Sequence, residues 1–430
     1  MCEKKTIAIY IIGSIKKYYR IGGFIAYACK TAHKLGYKIY VADSERITVD
    51  DYLQALEERG PKITIILGIH NGCEDEILFK FKKSKIPFIV MERTYPEYME
   101  VNTITTNWHK ASLKIVKHLC DSGRRKIAFL GFNTFSNTDE KKLQGFKLGL
   151  EQNDLEFDEK NVFSYGIKPL LECINEFEAV KKNYDAVMCS SDVIAVMLIR
   201  SEGMKGVGIP SDLAVTGFDN LTIGKYLNPA ITSVETFWDL SGEIAVKAAW
   251  LLLRLEDYQC LRITKRNKII IRESSSGTAR NHETGDDFLE TAQEDPVYRG
   301  KSLLREGDAV QSSNLFREWS YYDKEFLKVQ RLDDFISEAT PDDVRIIKEL
   351  IEGKYYKEIS GDLFVPIRTI KSHVAKIEDM LNIDKREDVI ELVSRYFSSY
   401  DLEKIIKSYQ NQDSKKIRSI QYFQPEYFIW

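Results

Sequence analysis

Tyr184–Asn220 reads YDAVMCSSDVIAVMLIRSEGMKGVGIPSDLAVTGFDN, and its two short apolar runs, DAVMCSS and LAVTGFD, decide the fold class. Each is continuously apolar rather than alternating, which suits a parallel strand buried on both faces. The segment between them, VIAVMLIRSEG, is helical in character, with Asp192 expected to cap it. The unit is therefore strand, helix, strand. Working outward toward the N-terminus, the same kind of run recurs as TIAIYII, YKIYVA, ITIILG, IPFIVM and KIAFLGF. Between these runs lie helical segments such as HKASLKIVKHLCDSG, in which Leu113, Val116 and Leu119 share a register and Gly123 is a stop. Repeated alternation predicts an α/β architecture with parallel sheets, and there are too many units for one compact sheet, so two lobes are expected.

The totals fit such a protein. A chain of 430 residues predicts about two to three domains, and 43% hydrophobic with 30% charged residues is ordinary globular composition. The formal net charge of −3 excludes a global electrostatic pull onto nucleic acid or membrane, so any DNA contact has to come from a local patch. The seven cysteines are odd in number and form no C-x-x-C pair, which reads as reduced thiols in a cytoplasmic protein; the scattered histidines suggest no metal site. At the N-terminus two lysines precede TIAIYII, but the run is only seven residues and charge returns at Lys16, so it reads as a first strand and not as a signal peptide. No run approaches a membrane span.

Gly123–Leu155 (GRRKIAFLGFNTFSNTDEKKLQGFKLGLEQNDL) and Tyr184–Glu235, which begins with the opening stretch and ends LTIGKYLNPAITSVE, resemble the repeated pattern of LacI/GalR-type effector domains, as does NKIIIRESSS at Asn267–Ser276. The resemblance covers roughly residues 5 to 277. It implies a type I periplasmic-binding-protein-like fold, two lobes with a ligand cleft between them, a sugar or other small-metabolite effector, and a homodimer. Without the family, ligands of open α/β sheets lie beyond the carboxyl ends of strands. Asp219 ends LAVTGFD there and is either a ligand carboxylate or a cap for the next turn; the GFDN pattern favours the ligand. The family's arginine three residues before its Gly-Phe pair is Lys142 here, which keeps charge but loses the planar fork. Its Asn-Asp becomes Ser191-Asp192. Tyr18 and Tyr19 follow the first strand, where the family often places an aromatic near the cleft; packing is the other role for such a pair. These departures point to an altered pocket. The family's DNA-binding helices precede this domain, yet the first strand is expected at about Thr6, with no room before it.

Ser274–Val310 turns rich in Ser, Gly, Thr, Asp and Glu and reads as a loop or linker. Helical spacing returns at Asn314–Ser337, with Phe316, Trp319, Phe326, Val329, Leu332, Phe335 and Ile336 as a stripe; it is either a helix packed on a domain or one that links sensor to output.

Next comes TPDDVRIIKELIEGK, with Thr340 as a cap, Pro341 in the first turn, a buried stripe of Ile347, Leu350 and Ile351, and Gly353 as a stop. YKEISGDL is a short helix, VPIRTIKSHVAKIEDML a third, and DKRE opens a fourth with Asp384 and Glu387 at capping-box spacing. At 100° per residue, Ile370, Val374, Ile377 and Leu381 fall in one sector, while Arg368, Ser372 and Ala375 point away, flanked by Lys371 and Lys376. Small residues between cations let such a face approach DNA closely.

Thr340–Val393 also resembles the LuxR-type helix-turn-helix, at Gly353, Lys357, Glu358, Ile359, Leu363, Thr369, Ile370, Lys371, His373, Ile377 and Leu381. That resemblance implies Lys371 and Ser372 in the groove and Thr369 and Lys357 near the DNA backbone, whereas His373 sits beside the core sector and reads as structural. Pro366 replaces the family's capping serine and is read as the first helical residue. Ala375 stands where many members place a polar or basic DNA contact. Thr340–Tyr400 carries ten Lys/Arg against twelve Asp/Glu, a net of −2, which predicts weak non-specific affinity for DNA.

The expected organisation is a sensing domain at 1–277, linker and connecting helix at 278–337, a helix-turn-helix at 338–400 and a tail at 401–430 whose aromatic cluster is Tyr422, Phe423, Tyr427, Phe428 and Trp430. The leading functional expectation is a ligand-responsive regulator of transcription that binds DNA. The alternative is a small-molecule-binding protein whose helical module contacts protein. An enzyme is the least supported, since no Walker-type loop, H-E-x-x-H or G-x-S-x-G occurs, and no cofactor is expected.

Overall fold

A computed structural model describes residues 6–13, 20–59, 63–69, 74–254, 260–276 and 324–412. Two sheets form the larger part. The first contains β1 (Thr6–Ile11), β2 (Lys38–Asp43), β3 (Thr64–Leu67), β4 (Phe88–Met91), β5 (Asn102–Thr106) and β11 (Arg262–Lys265), in the order β11-β5-β4-β3-β1-β2, with every pair parallel. The second contains β6 (Ile127–Asn133), β7 (Val162–Tyr165), β8 (Ala186–Cys189), β9 (Ala214–Phe218), β10 (Thr232–Glu235) and β12 (Lys268–Ile270), in the order β12-β10-β9-β8-β6-β7, parallel except for the edge strand β12.

Helices α1 (Ile21–Lys34), α2 (Val49–Arg59) and α3 (Glu74–Ser84) belong to the first lobe, and α4 (Trp108–Asp121), α5 (Asn137–Glu151), α6 (Leu170–Val180), α7 (Asp192–Ile199) and α8 (Thr222–Tyr226) to the second. Helix α9 (Trp238–Leu252) returns to pack on α1, and α10 (Glu273–Ser276) closes against β9 and β10. The chain thus crosses between lobes after β5, after β10 and after β11. The crossings are tied together: Asn107 N–H donates to the Lys265 carbonyl (3.1 Å), and Asn267 Nδ2 to the Asn107 carbonyl (2.8 Å).

The apolar runs work as expected, since β3, β4 and β8 are buried at every residue. Helix α4 follows helical spacing, although its buried face is Trp108, Ala111, Ile115, Val116 and Leu119, and Leu113 is only half-buried. The linker reading begins too early. Ser274 and Ser275 are buried because Ser274 Oγ accepts the Thr232 N–H (2.9 Å) and Ser275 Oγ shares a 2.6 Å hydrogen bond with Thr232 Oγ1. The hydroxyls do there what a loop would have left to water.

The C-terminal helices are α11 (Lys324–Glu338), α12 (Pro341–Ile351), α13 (Tyr356–Leu363), α14 (Ile367–Leu381), α15 (Arg386–Tyr396) and α16 (Ser399–Gln412). They sit on the second lobe. One apolar cluster runs from Ala128 and Leu130 in β6 through Phe335 in α11 to Val374 in α14 and Ile405 in α16. Arg200, at the end of α7, clamps the corner between α15 and α16 by donating to the Tyr396 carbonyl (3.1 Å) and to Asp401 Oδ2 (2.7 Å). Among the described residues no helix is long and apolar enough to cross a membrane. Phe316, Trp319 and the aromatic cluster of the tail lie outside them.

Thr340 caps α12 in a full capping box with Asp343, and Gly353 at φ 84° follows its end. Pro366 is the N-cap of α14 and not its first helical residue: its carbonyl accepts the Thr369 N–H (2.9 Å) and the Ile370 N–H (3.1 Å). An N-cap contributes its carbonyl to the helix, so proline's missing N–H costs nothing there. Asp384 and Glu387 form no capping box, because α15 starts one residue later, with Lys385 as an N-cap that makes no side-chain bond.

Candidate functional site

The strand order of each lobe reverses once, at β1/β3 in the first and β6/β8 in the second, and ligands of such sheets bind at the carboxyl ends beside the reversal. In the second lobe this point is occupied by Asp139 and Lys142 from α5. Lys142 is 5% exposed, and its Nζ donates to Asp139 Oδ1 (2.9 Å) and to the carbonyl of Ser190 just beyond β8 (2.8 Å). The ammonium also lies 4.6 Å from the Trp108 ring centroid and 5.0 Å from that of Phe218, a cation–π arrangement. Asp139 Oδ2 in turn accepts the Asn133 N–H at the end of β6 (3.0 Å).

Helix α5 reaches this position because two glycines let it rest on α4. A methyl group at residue 145 would lie 2.2 Å from the His109 carbonyl oxygen, and one at 149 would lie 2.8 Å from Val116 Cβ. Lys142, one turn before Gly145, is thereby brought beneath Trp108, the first residue of α4.

Asp219 follows β9 at the same edge. It is half-buried at φ 93°, and Asn220 follows at φ 49°; two successive non-glycine residues in left-handed backbone are uncommon and costly. The strain is held by side chains. The Asn220 N–H donates to Ser233 Oγ (2.9 Å), its Nδ2 to Glu235 Oε2 (2.7 Å), and its Oδ1 accepts from Arg272. The Asp219 N–H donates to the Val234 carbonyl (2.9 Å). From the first lobe, Arg20 Nη1 donates to the Asp219 carbonyl (2.9 Å) and its Nη2 stands 3.2 Å from Asp239 Oδ2. Arg20 therefore bridges the lobes across the cleft. Burial pushes the Asp219 carboxyl up, against the pull of the Lys142 and Arg20 charges. Asp219 does not cap the following helix, whose N-cap is Leu221.

Ser191 is the N-cap of α7, accepting the Ile194 N–H (3.3 Å). Asp192, expected to cap that helix, is instead its first residue. It is fully buried, its Oδ2 accepts the Leu221 N–H (2.8 Å), and burial holds its carboxyl well above the usual range. Tyr18 and Tyr19 lie outside the described residues. The fold thus brings Lys142, Ser191 and Asp219 to one edge. The sequence reading missed Arg20, Asp139 and Trp108, although the Gly22-Gly23 pair was a signal for Arg20: a methyl at residue 23 would lie 2.4 Å from Asp239 Oδ1, so glycine there lets Asp239 close on the start of α1.

In the C-terminal helices, Ile370, Val374, Ile377 and Leu381 are the buried residues of α14, as the helical wheel requires. Arg368, Thr369, Lys371, Ser372, Ala375 and Lys376 are exposed on it, and Lys357 is exposed on α13. The Lys376 side chain is 45% exposed, but its Nζ lies 2.6 Å from Asp343 Oδ2. His373 Nδ1 lies 2.6 Å from Asp343 Oδ1, a structural role as expected. Asp343 is fully buried. Burial works to raise its carboxyl, but hydrogen bonds from Lys376, His373 and Thr340 outweigh it and hold the group down at about 2. Phe364, in the turn before α14, is 92% exposed at φ 55°.

A family model described as a periplasmic binding protein-like domain matches residues 116–275. The chain is similar to the HTH-type transcriptional repressor PurR of Photobacterium profundum, 23% identical over 277 residues, covering 63% of this chain and 81% of the relative. It is also similar to catabolite control protein A of Staphylococcus xylosus, 26% identical over 194 residues, 45% of this chain and 58% of that one. Among solved structures, the transcriptional regulator CelR–cellobiose complex superposes at TM-score 0.56 and 20% identity, covering 63% of this chain and 84% of that one. Transcription regulator CcpA of Lactococcus lactis does so at TM-score 0.52 and 21% identity, covering 63% and 100%. The chain therefore carries an α/β type I periplasmic-binding-protein-like domain whose relatives are regulators of the PurR and CcpA kind.

Proposed function

We propose that this chain is a cytoplasmic, homodimeric regulator of transcription that takes a small effector between its lobes and binds operator DNA through α14. The observation that carries this reading is the division of α14 into a buried apolar face and an exposed face of Arg368, Thr369, Lys371, Ser372 and Ala375. Cations beside small side chains can reach phosphates and base edges without a clash. The LuxR-type resemblance supports the same assignment, with Lys357 and Thr369 toward the DNA backbone, and the relatives named as repressors support the regulatory role. Lys376 contributes less to binding than Lys371, because Asp343 already neutralises it. The effector is a sugar-like or other small metabolite held near Asp219, Lys142 and Ser191, with Tyr18 and Tyr19 as further candidates.

The test is selection of genomic fragments by the purified full-length protein at defined salt, followed by binding assays. Arg368→Ala and Lys371→Ala are each expected to weaken the selected site about tenfold and to leave thermal unfolding unchanged, while Lys376→Ala has a smaller effect. Unchanged affinity in both variants would move the contact surface elsewhere. A second reading, a protein partner for the module, is favoured by the exposed Phe364 and by Ile367, which is 41% exposed; failure to select any DNA would support it. For the cleft, a thermal-shift screen of metabolites is expected to yield a ligand that stabilises the natural protein and not Asp219→Ala. Equal stabilisation of both would discard the pocket assignment.

A further inference from the structure

Helix α11 lies between the second lobe and the exposed-face helix, packing on α6, α7 and α8 on one side and on α14 and α15 on the other. Its Val329, Leu332, Phe335 and Ile336 are at most 2% exposed. Burying these side chains removes apolar surface from water, so the helix is held to both neighbours by apolar contact. Inside this packing sits a carboxylate. Asp333 is 4% exposed, and its Oδ1 accepts the Ile223 N–H at 2.6 Å. One turn on, Ser337 Oγ donates to Thr222 Oγ1 at 2.8 Å. Helix α8 has no side-chain cap of its own, so its first turn is served by a residue 110 positions away. Burial pushes the Asp333 carboxyl up to about 6, while the Ile223 N–H, Arg20, Lys225 and the Thr222 N–H pull it back.

The segment that Asp333 caps begins in the cleft. From Asp219 to Ile223, each residue has its own polar anchor: Arg20 and the Val234 carbonyl for Asp219, Ser233, Glu235 and Arg272 for Asn220, Asp192 for Leu221, Ser337 for Thr222 and Asp333 for Ile223. A peptide anchored at every residue and strained at its first two has little slack to absorb a displacement.

We propose that Asp333 is the positioning residue through which the cleft controls the C-terminal helices. A ligand that replaces the Arg20 contact to Asp219 moves residues 219–223 as one piece, withdraws the Ile223 N–H from Asp333, and loosens α11 from the second lobe. Such a ligand acts by binding one of two arrangements better than the other. This rests on the reading that the cleft holds the effector, but not on DNA binding.

The experiment is amide hydrogen exchange by mass spectrometry on the full-length chain without ligand. Asn220→Gly, which relaxes the left-handed backbone and removes the two side-chain anchors to Glu235 and Arg272, is expected to speed exchange at least tenfold in peptides covering 221–226, 324–338 and 367–381, and to leave 21–34 unchanged. Asp333→Ala is expected to speed 324–338 and 367–381 equally, and the double variant is expected to exceed neither, since both remove one coupling. Faster exchange at 221–226 in Asn220→Gly with 324–338 as in the natural protein would overturn the proposal, as would additive effects in the double variant. Should Asp333→Ala fail to fold, Asp333→Asn together with Ser337→Ala gives the same comparison, with a rise of about threefold expected and no rise overturning the coupling. These readouts involve no DNA, so a failed operator selection and a failed coupling are distinguishable.

Discussion

Replacing Lys142 by methionine is expected to destabilise the second lobe by about 4 kcal/mol, the loss typical of breaking a buried ion pair from one side. Methionine keeps the length and much of the volume of the side chain, so the effect isolates the charge. The variant would strand the Asp139 carboxylate, 5% exposed, with the Asn133 N–H as its remaining contact from the end of β6, and would leave the Ser190 carbonyl without its donor. The faces of Trp108 and Phe218 would also lose the cation above them. Urea unfolding monitored by tryptophan fluorescence should show the midpoint falling, with Trp108 reporting locally. Lys142→Arg restores charge and is expected to recover more than half of the loss. A midpoint unchanged in Lys142→Met would mean that the pair contributes no net stability and that Lys142 is retained for the cleft alone.

The second large effect is expected at Asp343. One carboxylate there joins two helices: it completes the capping box of α12 through Thr340 and accepts from His373 and Lys376 of α14. Asp343→Ala is expected to cost about 3 kcal/mol, roughly 1 for the cap and the rest for the charged hydrogen bonds. The effect should be confined to the C-terminal helices. The pH dependence follows from the direction of the shift. The folded carboxyl, at about 2, lies below its ordinary value of 3.8, so the unfolded chain takes up a proton first as pH falls. The stability it contributes is therefore complete above about pH 4 and is lost between there and about pH 2. Unfolding curves of the natural protein and Asp343→Asn should be offset at pH 7 and converge as the pH approaches 2. An offset that persists at pH 2 would show that packing, and not charge, carries the difference.

Much of the α/β fold was legible because burial on both faces forces continuous apolar runs: β1, β3, β4, β8 and β9 lie within such runs, and β2 and β6 extend one residue past theirs. Strands β5, NTITT, and β11, RITK, were not legible. Polar residues are expected to leave the core, yet Lys265 is 3% exposed there because its Nζ lies 2.8 Å from Glu92 Oε1 and 2.6 Å from Ser241 Oγ. No local pattern announces a pairing across more than 150 residues. The site divides in the same way. Lys142, Ser191 and Asp219 stood out by their place after strands and within a motif, whereas Arg20 and Asp139 did not, since what matters in each is the group it meets from a distant segment.

By itself the sequence determined two parallel-sheet lobes, the register of α14 and the identity of its exposed cations, because periodicity depends only on local geometry and on which side chains leave water. Tertiary structure alone decided that Lys376 turns to Asp343, that Pro366 caps α14, that Asp192 serves Leu221, and that α11 packs between the second lobe and α14 with Asp333 accepting the Ile223 N–H. Those outcomes depend on which distant donors meet which buried acceptors, and a buried polar group takes whatever partner the packed fold brings within about 3 Å.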